Sequence, residues 1–218
     1  MSSTQSPRFL SRLDGSIALS AIGAEFHGRG WSVGTSSNYS VILGRDPLEL
    51  LLTASGKDKG RLSQEDFVSV DAAGKPTEEG QPKSSAETLL HVVIAELFPD
   101  VGAILHTHSV NGTVLSRRFG DEGGFAIEGF EMLKGLEGIR THDHRQWVPI
   151  FENTQDIAAM AQDIRFRCED ANCPFDILQY GFLIRGHGLY TWGRDLFAAR
   201  RHVEIFEFLF DCVCREQM

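Results

Sequence analysis

A layered α/β domain is the fold class this sequence predicts, on three observations. Apolar runs of strand length alternate with longer stretches of helical periodicity, and short glycine-rich or charged turns separate them. Several of those turns are short enough to join neighbouring antiparallel strands. No repeat, low-complexity tract or long linker divides the 218 residues. One domain over 1–218 is therefore expected, with about 1–7 a flexible N-terminus. A chain of this size buries roughly 70% of its unfolded surface.

In chain order, RLDGSIALSAIGAEFHGRG reads as an amphipathic helix closed by Gly28 and Gly30. YSVIL (39–43), LLLTAS (50–55) and FVSVD (67–71) read as strands bounded by glycine and charged turns. DAAGKPTEEGQPK is polar and rich in breakers, hence an exposed connection. SSAETLLHVVIAELF reads as a helix with Leu89, Val93 and Leu97 along one stripe, and a strand at 101–108 follows at once. NTQDIAAMAQDIRFRCED is helical in pattern, while FLIRGHGLYTWG is strand-like but interrupted by Gly186 and Gly188. The last element, RDLFAARRHVEIFEFLFDCVC, places Leu196, Val203, Phe206, Phe210 and Val213 on a broad apolar helical face.

Composition excludes several functions. No run approaches the ~18 to 20 apolar residues of a membrane span. The start, MSSTQSPRFLSRLDGS, lacks the apolar segment of a secretory signal, so a cytoplasmic location without a membrane partner is expected. A formal charge of -9 without a long basic run argues against nucleic acid. A phosphorylated small molecule fits, because a few local donors can hold one phosphate on an acidic protein. Cys168, Cys173, Cys212 and Cys214 are too few and too clustered for a disulfide framework, and reduced thiols are expected. Cys212 and Cys214, two apart on a helix, do not face each other, which argues against a shared metal.

The chemistry centres on VGAILHTHSV (101–110). Side chains alternate along a strand, so His106 and His108 share a face and Thr107 takes the other. Two such imidazoles serve either as hydrogen-bonded structural residues or as metal ligands. A catalytic zinc commonly takes three protein ligands and keeps an open position. His187, between glycines in LIRGHGLYTWG, is the candidate third ligand; otherwise it is a turn histidine. His142 and His144 repeat the spacing among charged neighbours in a loop, at most at the mouth of a site. His27, His91 and His202 lie in helices and are assigned to packing or surface. Glu131 and Glu87 are the carboxylates to consider for proton transfer. For Glu87 a structural role competes, because Ser84 and Glu87 have capping-box spacing. Ser84 and Ser85 at that helix start, with GTSSNYS (34–40) and TASGKDKG (53–60), form a candidate phosphate cradle.

The ordered set GTSSNYS, TASGKDKG, KSSAETLLH, FPDVGAILHTHS and RGHGLYTWG resembles the class II aldolase and epimerase family over about residues 30–193. The resemblance implies an α/β/α layered domain with a central, mainly antiparallel sheet flanked by helices. It also implies one Zn²⁺ per subunit on His106, His108 and His187. Thr35, Ser37, Asn38, Ser55, Gly56, Ser84 and Ser85 match the phosphate loops, although Ser37 stands where glycine is frequent. EMLKG (131–135) and VPIFENTQDIA (148–158) point to the dehydratase branch, which acts on a phosphorylated ketose with a methylthio end in methionine salvage. Glu131 then matches the dehydratase acid/base carboxylate, and Glu87 the acid/base position of the related aldolases. Phe125, Phe130, Met132 and Trp147 are candidates to line the methylthio pocket. A homo-oligomer, tetrameric in much of the family and with sites near subunit boundaries, is the implied assembly. Two other functions share these residues: a sugar-phosphate aldolase or 4-epimerase, and a protein-binding regulator on the same fold.

Overall fold

Residues 9–169 and 178–217 are described by a computed structural model; positions 1–7, expected to be flexible, and Cys173 lie outside them. The first helix, α1 (Arg12–Gly28), is N-capped by Ser11, whose hydroxyl oxygen accepts from the Asp14 N–H. Strands β1 (Asn38–Arg45), β2 (Leu48–Thr53) and β3 (Phe67–Asp71) follow as an antiparallel meander. Next come α2 (Thr88–Leu97), β4 (Ala103–Thr107), α3 (Val110–Arg118), β5 (Gly124–Ile127) and β6 (Gln146–Phe151). The chain ends with α4 (Ile157–Glu169), β7 (Gly181–Ile184), β8 (Leu189–Gly193) and α5 (Leu196–Glu216).

The described residues form one eight-stranded sheet in the order β3-β2-β1-β4-β8-β7-β6-β5. Every neighbouring pair is antiparallel except β6 and β7. The expected α/β/α layering with a mainly antiparallel sheet is therefore what the chain adopts. Strand alternation divides the core. Ile42, Leu50, Val68, Ile104 and Trp192 pack under α2 and α4, whereas Tyr39, Val41, Leu51 and Leu105 pack under α1 and the start of α5. Further along the second face, Leu183 and Leu189 meet Leu115 of α3 and Phe206, Leu209 and Phe210 of α5. Each such fully buried aliphatic or phenyl side chain contributes about 1.5–3 kcal/mol relative to exposure.

Three elements escape the apolar pattern. The sequence of α3, VNGTVLSRR, carries a glycine and two valines, and the helix depends on the Ser109 cap at Gly112 N and on burial of Leu115. β5 has only four residues, and β6 contains Pro149, which pairs opposite Gly124. The interrupted run FLIRGHGLYTWG is a hairpin, β7–β8, folded at its glycines.

The expected start of α2 also moves. The helix begins at Thr88, and Glu87 occupies the N-cap without a capping side-chain bond. Ser84 is instead drawn into a backbone bridge with Ala54, which prevents the capping box. Nor is α2 one-sided: Leu90 through Ala95 are all buried, while Leu89 and Leu97 are only half-buried, because the helix lies between the sheet and α4. Arg45 caps its far end, donating to the carbonyls of Ala95 (2.7 Å) and Phe98 (3.3 Å) and thereby aiming the chain into β4. No helix among the described residues is long and apolar enough to cross a membrane.

The second turn of contact for α1 is a short 3-10 segment, Lys59–Arg61, whose backbone lies against Gly23. A Cβ at position 23 would sit 2.3 Å from the Lys59 carbonyl oxygen, a backbone atom with little room to yield. Gly23→Ala is expected to destabilise the protein by about 1–3 kcal/mol through overpacking, read as a fall in urea midpoint.

Candidate active site

His106 pairs across the sheet with Tyr190, so β4 and β8 deliver the site together. The His106 Nδ1–H donates to the Leu189 carbonyl at 2.9 Å, which leaves Nε2 as a lone pair. That nitrogen lies 2.7 Å from Nε2 of His108. The turn between β7 and β8 brings His187 to the same place, and ligand atoms of the three residues lie within 4.8 Å of one another. Two neutral imidazole lone pairs at this spacing repel unless a cation or proton lies between or beside them, so the donor set fits a metal ion. Thr107 points to the opposite face, where its hydroxyl donates to Glu207 at 3.3 Å.

Backbone contacts hold the histidines from several elements. The His108 N–H donates to the Trp31 carbonyl at 2.8 Å, beyond the end of α1. The Thr113 hydroxyl of α3 donates to the His187 carbonyl at 2.8 Å, and Ser116 accepts from Gly186 N. Gly188 lies so close to β4 that a Cβ would stand 2.0 Å from the Thr107 carbonyl oxygen, which explains the glycine after His187.

Glu87 faces the same group. Its Oε2 is 3.5 Å from His106 Nε2, and its Oε1 is 3.4 Å from His187 Nε2. Oε2 accepts from Asn38 Nδ2 at 2.7 Å and from the Tyr190 hydroxyl at 2.9 Å. The Tyr190 ring in turn stacks on His106, with centroids 4.1 Å apart. Of the two roles open to Glu87, cap or site carboxylate, its side chain takes the second.

Beside the histidines lies a cavity of about 250 Å³. Thr35, Ser37, Asn38, Ser55, Gly56, Ser85 and Glu87 line it together with His108 and His187, so the three hydroxyl and glycine loops do converge. His106 is fully buried behind them, and Ser84, held in its backbone bridge, is not a lining residue. Gly34 and Gly56 adopt positive φ (63° and 72°). Ser37 does too, at 71°, a conformation uncommon for a side chain with a Cβ and one that glycine adopts at lower cost.

Lys59, Asn153, Thr154 and Gln155 also line the cavity; their stretches are noted in the sequence, but none of the four is named there as a site residue. Lys59 is the one Lys or Arg among the described lining residues. It is 1% exposed, and its ammonium donates to the carbonyls of Lys57 (2.8 Å) and Thr35 (3.4 Å), tying two loops together. Its stretch, TASGKDKG, is a cradle candidate, but nothing local separates Lys59 from its neighbour Lys57. Asn153–Gln155 precede α4 as the polar NTQ of FENTQD.

Glu131 is elsewhere. It begins a 3-10 turn, Glu131–Gly135, is 69% exposed, and pairs with Lys134 and, at 3.8 Å, with His142. Phe125, Phe130, Met132 and Trp147 are not lining residues either; Phe125 is core, stacked on Phe119. His144 contacts Gln146 at 3.3 Å. One chain therefore assembles the histidines, Glu87 and the cradle, but not Glu131 or the apolar candidates.

A family model described as the class II aldolase and adducin N-terminal domain matches residues 17–214. The chain belongs to the class II aldolase and adducin family. The methylthioribulose-1-phosphate dehydratase of Hahella chejuensis is 48% identical over 191 residues, 87% of this chain and 88% of that one. The enzyme of the same name from Marinobacter nauticus is 49% identical over 184 residues, covering 84% and 85%. Among solved structures, YgbL from Klebsiella pneumoniae superposes with a TM-score of 0.75 at 24% identity, covering 94% of this chain and 91% of that one. L-fuculose-1-phosphate aldolase from Thermus thermophilus gives 0.71 at 20% identity, with 95% and 97% covered. These two establish the class II aldolase fold.

The electrostatics of this class II aldolase site favour neutral donors. Burial above all, then the neighbouring His108 and His187, pushes His106 well below its ordinary value of 6.5. Burial also takes His108 down to about 4, helped by His187 and Lys59, and His91 down to about 3. Lys59 falls to about 8, chiefly through burial. Burial and the adjacent Glu87 keep the Tyr190 phenol protonated, as a donor to that carboxylate. In the unfolded chain these histidines take up protons near 6.5, but in the folded chain only at the lower values, so acid favours unfolding. Melting temperatures of the metal-free protein should therefore hold steady near pH 7 and fall progressively from about 6.5 to 3.

Proposed function

We propose that this protein is a zinc-dependent methylthioribulose-1-phosphate dehydratase of methionine salvage. It removes water from 5-methylthioribulose 1-phosphate to give 2,3-diketo-5-methylthiopentyl 1-phosphate. The observation that carries this reading is the convergence of three histidines, one carboxylate and a hydroxyl-lined cavity in a chain about half identical to enzymes of that name. His106, His108 and His187 would hold one Zn²⁺ per subunit. When bound, the zinc supplies Lewis acidity at the C2 carbonyl, which makes the C3 proton more acidic.

The protein's own groups would do the rest. Thr35, Ser37, Ser55, Gly56 and Ser85 offer hydroxyl and backbone donors to the phosphate, and Lys59 supplies the positive charge beside them, while the Asn38 side chain is engaged by Glu87 and Ser85. A phosphate fixed in these loops, at a distance from the histidines, orients the carbon chain between the two ends of the cavity. A carboxylate takes the C3 proton, an acid delivers a proton to the departing C4 hydroxyl, and the resulting enol gives up the proton on its C3 oxygen and takes one at C4 to become the 3-ketone. Glu87, with Oε2 bonded and Oε1 turned towards His187, is placed to handle one of these protons.

Glu131 is the second acid/base group in this proposal, and it reaches the cavity of a neighbouring copy. That assignment accounts for a dehydratase carboxylate that is exposed and away from its own histidines. It makes the working enzyme a homo-oligomer, with a tetramer as the implied state, and it places Phe130 and Met132 at the same boundary for the methylthio group.

Metal-analysed protein incubated with 5-methylthioribulose 1-phosphate should yield a product lighter by one water in mass spectra, and survival of the substrate would reject the assignment. Glu87→Gln should retain metal and melting temperature while turnover falls by about 10²- to 10⁴-fold, the scale of lost acid/base assistance. The boundary assignment has its own test. His106→Ala subunits and Glu131→Gln subunits should each be inactive alone, but co-expressed hybrids should regain measurable turnover. Inactive hybrids, shown by native mass spectrometry to contain both subunits, would place Glu131 in its own subunit's site or outside the mechanism.

A further inference from the structure

Behind Glu87 a chain of hydrogen bonds runs from Asn38 into the core, away from the histidine group and the outer cradle. Ser40 Oγ lies 2.7 Å from His91 Nδ1, His91 Nε2 meets Asn38 Oδ1, and Asn38 Nδ2 donates to Glu87 Oε2 at 2.7 Å. Ser40 and His91 are fully buried and Asn38 nearly so. His91 comes from α2, Ser40 and Asn38 from β1, so the chain spans helix and sheet.

Its direction follows from donor and acceptor inventory. An ionised carboxylate only accepts, so the Asn38 NH₂ must face Glu87 and its oxygen must face His91. A flipped amide would set oxygen against oxygen. His91 Nε2 therefore carries the proton, and Nδ1 is left to accept from the Ser40 hydroxyl. The imidazole is satisfied on both nitrogens, and its edge packs against the Tyr190 ring at a centroid distance of 5.6 Å. Tyr190 bonds the same Glu87 oxygen as Asn38, so two donors occupy Oε2 while Oε1 faces His187. Asn38 Nδ2 also reaches Ser85 Oγ at 3.3 Å, which joins the carboxylate to the hydroxyl loop.

We infer that His91 is a positioning residue for the dehydration: through its Nε2–H it orients the Asn38 amide, which fixes the Glu87 carboxylate for proton exchange with the substrate. This rests on Glu87 acting as an acid/base group in the proposed reaction. A histidine that merely filled the core would stabilise α2 without acting through Asn38. The two roles differ in how mutations combine.

His91→Leu should keep its metal and its KM to within about twofold, while kcat falls about tenfold or more, the scale on which outer-shell partners act. His91→Gln should recover much of the loss, since its amide N–H can take the place of Nε2–H. Asn38→Ala should lose at least as much kcat as His91→Leu, and the double variant no more than Asn38→Ala alone, because both cut one chain. Unchanged kcat in His91→Leu, or losses that multiply in the double variant, would overturn the inference. Long-range ¹⁵N–¹H correlation of the unmutated protein reads the tautomer without turnover. A His91 ring protonated at Nε2 alone supports the chain, and an Nδ1–H tautomer overturns it. If the unmutated protein leaves 5-methylthioribulose 1-phosphate intact, the dehydratase reading fails, while the tautomer still decides the direction of the chain.

Discussion

Antiparallel pairing of β4 with β8 is the constraint on which the site depends. It sets His106 opposite Tyr190, gives His106 Nδ1 the Leu189 carbonyl, and carries the glycine turn with His187 to the end of β4. The pleat does the sorting. Successive side chains at 106, 107 and 108 go to alternate faces, so the imidazoles converge on the α2 side and Thr107 enters the α5 side beside Glu207. Gly188 permits the close approach of the turn to β4, where a Cβ would collide with backbone.

Glu87 shows how one residue is released from a local role for a distant one. A capping box would have used its carboxylate on the helix it precedes. The bridge between Ala54 and Ser84 removes the partner serine, and the carboxylate is taken instead by Asn38 and Tyr190 from two different strands. The Ser85 hydroxyl, accepting from Glu87 N at 3.2 Å, supplies what local support remains. The helix start and the site are thus the same piece of chain.

Most of the fold was legible because its elements are strongly periodic or bounded by breakers: β3 matches FVSVD residue for residue, α1 and α4 lie within their expected stretches, and α5 fills its own and continues to Glu216. The histidine group was legible because HxH on a strand carries its own geometry. The roles of β5, β6 and α3 were not, since each is short or contains a breaker and is stabilised by tertiary packing. Lys59 and His91 were hidden for a different reason. Nothing local distinguishes a charged turn lysine from one buried in a cavity wall, or a helical histidine in the core from one bonded to Asn38. Glu131 carries no signal of which subunit it would serve, because sequence position is identical in every copy.

The distance along the chain between the histidines bears on how the protein comes into being. His106 and the Leu189 carbonyl that orients it are 83 residues apart, and His187 arrives only with that second strand. An extended or half-made chain offers an ion two imidazoles from one strand end, without the third and without a fixed tautomer. The three-histidine set is a product of the long-range pairing, the slowest kind of contact to close. An ion that prefers three nitrogens to two would consequently bind the finished sheet in preference to the half-made chain, and its uptake would mark maturation of the chain.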